Sequence, residues 1–399
     1  MVAIKNKARK AGQRISSKPE DICSLDWVKA DNNPLAVSDK GGTKTLSIVD
    51  LFCGCGGMTL GIAEGSRING FNLDIKLALD INKASLEVYN KNFLVNKDRI
   101  LEDNITKIVT NKSGSKFSAS ELTLKQKYKE LDILVAGPPC QGHSNLNNHT
   151  RRNDPRNELY LNAIRFIEIV KPKVAIIENV TAVVHDKDNV IAISNKRLEK
   201  SGYQIHPLNI DMSAYGLAQS RKRYIQIAIL GGNLKEVSLE EYKVKSPIPL
   251  SDFISDILEE PFEKDGIFYT PSRSSIENRA RIDYLFSNDA YDLPNKLRPN
   301  CHKNKQHSYV SNYGRMFWDK PAQTITSGFG SIGQGRYLHP LRKRVITPHE
   351  AARIQGFPDF FNFNSVLSRN DLHTMIANAV PPKIMAMILN TLIKKGVIK

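Results

Sequence analysis

From Thr45 onward, apolar runs and polar or glycine-rich breaks follow each other in a regular rhythm. Leu46–Val49, Ile75–Leu79, Ile133–Ala136, Val174–Ile177 and Ile225–Leu230 are short and mostly β-branched or aliphatic, and each is bounded by turn residues, which predicts buried strands. Leu159–Val170 and Val190–Ser201 carry apolar residues at helical spacing. Strands alternating with helices predict an α/β fold, doubly wound around a mostly parallel sheet, with ligands at the carboxyl ends of the strands. Asp50, Asp80, Cys140 and Glu178 then share one edge.

Beyond Gly231 the rhythm stops, and up to Ser311 the chain is rich in Pro, Ser, Asn and charge. The expected division is a basic flexible extension over 1–44, a large domain over 45–231, a small domain over 232–311, and a segment over 312–399 that supports the small domain and completes the large one. Within the last segment, Thr347-Pro348-His349-Glu350 has the form of a capped helix start, and Leu372–Leu392 has helical spacing broken at Pro381-Pro382.

Composition narrows the function. Among 399 residues, 57 Lys and Arg against 41 Asp and Glu give a net charge of +16, which suits a polyanionic partner or serves solubility alone. No apolar run approaches the roughly 18 residues of a membrane span. Five cysteines without a secretory leader point to reduced thiols in the cytoplasm or nucleus.

The glycine loop Asp50-Leu51-Phe52-Cys53-Gly54-Cys55-Gly56-Gly57 follows a strand and precedes a helix, a place where backbone approaches a ligand and helix N–H groups are free. It is either a nucleotide site or a tight turn. Asp80, ending the next strand, is either a ribose ligand or a surface carboxylate. Together they point to a nucleoside-containing cofactor, and the lack of a Lys-Ser/Thr step excludes a P-loop.

Cys140 follows a strand through the rigid turn Gly137-Pro138-Pro139, which holds a thiol in place for attack. Glu178, ending Val174–Ile177, is an acid at the same edge, where burial favours its protonated form, or a cap for the next segment. In Gln219-Ser220-Arg221-Lys222-Arg223, alternation sets Arg221 and Arg223 on one face, fit to grip a phosphate or a base oxygen. Cys53-x-Cys55 has no second pair or histidine at zinc spacing, so no metal is expected.

In order and wording these motifs resemble the DNA (cytosine-5) methyltransferase family, from about Thr45 to Lys394. The resemblance implies the S-adenosylmethionine-dependent methyltransferase fold with a small target-recognition domain, here 232–311, and S-adenosylhomocysteine as product. It implies cofactor contacts from Phe52, Gly54, Cys55, Gly56, Gly57, Asp80, Ile81, Asn104, Ile105, Pro139, Leu159, Asn378 and Val380. Asn104 stands where the family often has Asp, and His143 where it usually has Phe.

The implied catalytic residues are Cys140, Glu178 and Arg221, and the implied DNA contacts are Gln141, Ser144, Asn179, Arg223 and Thr324. Cys140 would add to carbon 6 of a flipped cytosine while Glu178 donates to ring nitrogen 3 and Arg221 holds the base oxygen. Arg315 with Pro321–Thr326 resembles the segment that supports the recognition domain, and Arg353–Pro358 is also similar to the family. The expected setting is a monomer on duplex DNA in a prokaryotic cytoplasm, beside a cognate restriction endonuclease that shares the target sequence.

Overall fold

The computed structural model describes residues 22–35, 44–139, 158–185, 189–257, 266–303 and 311–399. The described chain forms two compact units, one over Ser38–Tyr215, Arg221–Lys245 and Ala379–Lys399, the other over Met1–Val37, Gly216–Ser220 and Ser246–Asn378.

The first unit is built on seven strands: β1 Lys44–Leu51, β2 Phe71–Asp80, β3 Ile100–Glu102, β4 Ile133–Ala136, β5 Val174–Val180, β6 Tyr203–Asp211 and β8 Lys222–Leu230. Their order across the sheet is β3-β2-β1-β4-β5-β8-β6. The first five are parallel, whereas β8 runs antiparallel to both β5 and β6. Every residue of β4 and all but the last of β5 are buried, the uninterrupted burial of strands covered on both faces.

One face carries the helix Glu158–Val170, whose Tyr160, Ala163, Ile164, Phe166 and Ile167 pack with Val49, Leu51, Leu134 and Ile177. The helix Gly57–Ile68, which follows β1, packs against the C-terminal helix Pro382–Lys394. A Cβ at Gly61 would come within 2.1 Å of the Pro382 carbonyl oxygen, so this approach requires glycine. The stretch Arg369–Lys394 is apolar enough in composition to cross a membrane, but 83% of its most apolar window is buried inside the protein.

The expected strands, helices and broken C-terminal helix are present, the break falling between Arg369–Asn378 and Pro382–Lys394. The sheet's two unforeseen strands are β3, only three residues long, and β6, whose Pro207 and polar residues disguise it. As an edge strand β6 leaves one side unpaired, where a residue without an N–H costs least.

Residues 232–245 belong with the sheet: Gln204 Nε2 donates to the Leu234 carbonyl at 2.6 Å and Asn390 Nδ2 to the Tyr242 hydroxyl at 2.7 Å. The boundary therefore falls at Ser246 rather than 232, and 312–378 joins the second unit.

In the second unit, β7 Gln219–Ser220 and β9 Ala322–Gln323 form a short parallel ladder. The expectation of a flexible extension over 1–44 is corrected for 22–35. Trp27 there is fully buried edge-on to Phe360, and the amides of Asp359 and Phe360 donate to the carbonyls of Val28 and Ala30. The indole, buried together with Ile22, Cys23 and Val28, is what anchors it.

The helix Pro348–Ile354 begins as its sequence predicted, with a capping box between Thr347 and Glu350 and Pro348 in its first turn. Arg344 holds the buried Glu350 through two 2.8 Å hydrogen bonds. The fully buried Arg353 is clamped by Asp359 and by Asp256 at 2.6 Å.

Gly61→Ala should lower stability by roughly 1–3 kcal/mol, because overpacking against backbone outweighs the helix-propensity gain of about 1 kcal/mol. The denaturant midpoint measures it. Burial pushes the Glu350 carboxyl up, but His339 and Arg344 outweigh it and hold it at about 2, below its ordinary 4.5. The stability this supplies is complete above about pH 4.5 and is lost as pH falls toward about 2. Melting temperature against pH should show that acid limb, and Glu350→Gln should flatten it.

Candidate functional site

The parallel strands end on a common edge, and the loop after β1 is its most constrained part. Phe52, Gly54 and Gly56 have φ of 57°, 52° and 97°, the left-handed region that a residue with a side chain enters rarely. At Gly56 a Cβ would also stand 2.4 Å from the Phe93 ring. Cys53 N–H donates to the Leu79 carbonyl at 3.0 Å and Gly54 N–H to Asp80 Oδ2 at 2.8 Å, tying the loop to the end of β2. On its other side Gly57 abuts the backbone of Val380, where a Cβ would approach the carbonyl oxygen to 2.5 Å.

Asp80 accepts from Asn82 N–H as well, at 2.8 Å. Burial raises its carboxyl above the ordinary value, and the N–H groups of Asn82, Gly54 and Ile81 offset part of that. A carboxylate has about four acceptor positions, so these three contacts still leave room for a hydroxyl donor. Ile81 beside it is 71% exposed, an apolar side chain without cover.

Asp103 and Asn104 follow β3, with Asp103 N–H on the Asp80 carbonyl at 3.1 Å. Asn104 Oδ1 accepts from Thr106 N–H at 3.1 Å and caps the short helix Ile105–Ile108, while Asp103 pairs with Lys107 at 2.8 Å. The amide oxygen expected to face a cofactor thus already has a donor. Ile105 is buried in the core, Leu159 packs on the same cluster, and Pro139 ends the turn after β4.

Cys140, Gln141, His143 and Ser144 lie outside the described residues. Their approach is described: Gly137 N–H donates to the Leu51 carbonyl at 3.2 Å, and Asn179 Nδ2 reaches the Pro138 carbonyl at 3.5 Å. Asn179 therefore links the end of β5 to the turn that leads into Cys140.

Glu178 is 7% exposed at that end, with Arg223 Nε 2.8 Å from its Oε1. The antiparallel register of β8 on β5, Val180 opposite Arg223, makes the pair. Arg221, the arginine expected to serve the base, is buried at 2% exposure, and its Nη2 donates to the Ala379 carbonyl at 3.4 Å. Alternation gave both arginines one face, and only the register distinguishes them.

Val380 is buried beside the glycine loop. Asn378 is exposed at the end of the helix Arg369–Asn378, in the second unit. In that unit Thr324 donates from its hydroxyl to the Ser220 carbonyl at 2.8 Å, fastening β7 to β9, while Gln219 accepts from Ile325 N–H and donates to Gln355 Oε1, both at 2.8 Å. Asp50 is the residue at the edge to which the sequence gave no role. It is 1% exposed and bonded to Thr59, and its only sequence signal is a carboxyl inside an apolar strand.

The model of C-5 cytosine-specific DNA methylases matches residues 46–394. The Type II methyltransferase M1.BsuMI of Bacillus subtilis (strain 168) is 44% identical over 368 residues, 92% of this chain and 84% of that protein. The Type II methylase M.HgiDII of Herpetosiphon aurantiacus is 29% identical, over 84% of this chain and 91% of that protein. Among solved structures, the methyltransferase EhMeth of Entamoeba histolytica superposes with a TM-score of 0.60 at 20% identity, covering 88% of this chain and 99% of that one, a likeness of fold. The chain belongs to the C-5 cytosine-specific DNA methylases and is a DNA (cytosine-5) methyltransferase.

Proposed function

We propose that the carboxyl edge of the sheet methylates a flipped cytosine of duplex DNA through Cys140, Glu178 and Arg223, with S-adenosylmethionine in the loop after β1. The observation that carries this reading is the pairing of buried Glu178 with half-buried Arg223, beside the Asn179–Pro138 link to the nucleophile turn.

The loop fits the cofactor. Its left-handed glycines bring backbone close to a ligand, Asp80 keeps acceptor capacity for ribose hydroxyls, and exposed Ile81 offers an apolar face to an adenine, as Phe52 does. Asp50 supplies a buried oxygen that meets no donor among the described residues. Gly54, Cys55, Gly56, Gly57, Asn104, Ile105, Pro139, Leu159, Asn378 and Val380 complete the proposed set. Bound there, S-adenosylmethionine supplies the methyl group.

The chain's own groups prepare the base. Cytosine is unreactive at carbon 5 until a nucleophile adds at carbon 6, and the Cys140 thiolate makes that bond. Glu178 shares a proton with ring nitrogen 3. Arg223 steadies Glu178 and the base oxygen, and Arg221 braces the Ala379 turn. After carbon 5 is methylated it loses its proton, and the carbon–sulfur bond breaks to return the thiolate. Flipping costs a few kcal/mol, offset by phosphate contacts from this basic chain, Gln141, Ser144 and Thr324 among them.

Base reading belongs to the unit that contains 246–378. The protein acts as a monomer in a prokaryotic cytoplasm and protects a sequence that a cognate endonuclease cuts.

Cys140→Ser should abolish methyl transfer and the covalent complex with 5-fluorocytosine DNA while retaining DNA binding. Full activity in that variant would remove Cys140 as nucleophile, and label appearing in tRNA alone would remove DNA as substrate. Glu178→Gln should lower kcat by about 10²–10⁴ with a smaller change in KM, read by single-turnover methylation.

A further inference from the structure

Asp50 is buried at the carboxyl end of β1, under the loop that the reading above gives to the cofactor. Its Oδ2 accepts a 2.6 Å hydrogen bond from the Thr59 hydroxyl, which lies 2.9 Å from the Tyr89 hydroxyl. Its Oδ1 meets no donor among the described residues. Among the described residues, the titratable groups that face it are Asp80 from β2, Cys53 and Cys55 from the loop and Tyr89 from the helix Lys83–Phe93, none of them a cation.

Burial pushes the Asp50 carboxyl up, the Thr59 hydroxyl pulls it part of the way back, and the charge of Asp80 raises it again, to about 8. At neutral pH the carboxyl therefore holds its proton. An unpartnered buried carboxyl among acidic neighbours is a place where a positive ligand is worth more than a neutral one. S-adenosylmethionine carries a sulfonium, whereas S-adenosylhomocysteine carries an uncharged thioether and is otherwise alike.

We infer that Asp50 distinguishes cofactor from product by charge: it gives its proton to solvent when a sulfonium ligand fills the loop and keeps it against the thioether. This rests on the cofactor reading of the loop. It supplies a direct route for product release, since loss of the sulfonium charge on methyl transfer lets Asp50 take a proton back and weakens its hold on what remains.

The measurement is calorimetric titration at about pH 6.5, in buffers of different ionisation enthalpy, with each ligand in turn. That pH lies below the usual α-amino range of about 7.7–8.0, so the amino groups contribute little. Wild type should release close to one proton with S-adenosylmethionine and far less with S-adenosylhomocysteine. Its preference for the sulfonium should grow with pH, by up to about tenfold per unit, until Asp50 ionises unaided. Asp50→Asn should bind both ligands without that proton release and with a preference flat in pH.

Thr59→Val, which keeps the carboxyl and removes its donor, should move the proton-release window to higher pH. Equal release with both ligands, undiminished release in Asp50→Asn or an unmoved window in Thr59→Val would overturn the inference. If wild type bound neither ligand, the cofactor reading itself would fall, and this inference with it.

Discussion

The close packing of the helix Gly57–Ile68 against the C-terminal helix Pro382–Lys394 is the constraint from which the rest of the first unit follows. Gly57, Gly61 and Gly65 line one side of the first helix at four-residue spacing, and a Cβ at each would press on Val380, Pro382 or Leu389. At Gly57 and Gly61 backbone meets backbone, so the contact cannot shift by a side-chain rotation. It brings Ala379 and Val380 back to the loop after β1 once the chain has built the whole of 246–378. The Ala379 carbonyl then accepts from Arg221, and Val380 closes one side of the loop.

Electrostatics divide the same edge into two chemically different ends. At β1 and β2, Asp50 and Asp80 lie close together, both raised by burial, and among the described residues their carboxyls meet only N–H and O–H donors. At β5 the carboxyl of Glu178 has a guanidinium 2.8 Å away. An acidic end suits a cationic methyl donor, and a carboxyl–guanidinium pair suits a planar base that offers both a ring nitrogen and a carbonyl oxygen. The strand order keeps the two ends separate, because β4 and the turn toward Cys140 lie between them.

Much of this was legible in the sequence because parallel strands buried on both faces advertise themselves. The apolar run Ile133–Ala136 coincides with β4, and the Thr347-to-Glu350 pattern announced its helix start. What stayed hidden depended on contacts between distant segments. An edge strand interrupted by Pro207 carries no apolar rhythm, and nothing local in Leu25–Val28 says that Trp27 will be buried against Phe360. Which of the two arginines lies beside Glu178 depended on the register of β8 against β5, a long-range fact that periodicity cannot carry.

That register also explains why a fold otherwise parallel ends in an antiparallel strand. A parallel β8 would enter the sheet at the edge opposite the site. Running the other way, β8 begins at the site itself, so Arg221 stands just before its first residue, at the Ala379 turn, and Arg223 at its second, by the end of β5. The segment just before it, Gln219-Ser220, is held in the second unit by Thr324, Ile325 and Gln355. Five consecutive residues thus pass from the unit proposed to read DNA into the one proposed to modify it. Gln219 and the two arginines are separated by single residues because an extended chain presents alternate side chains to one face, and each is claimed by a different partner.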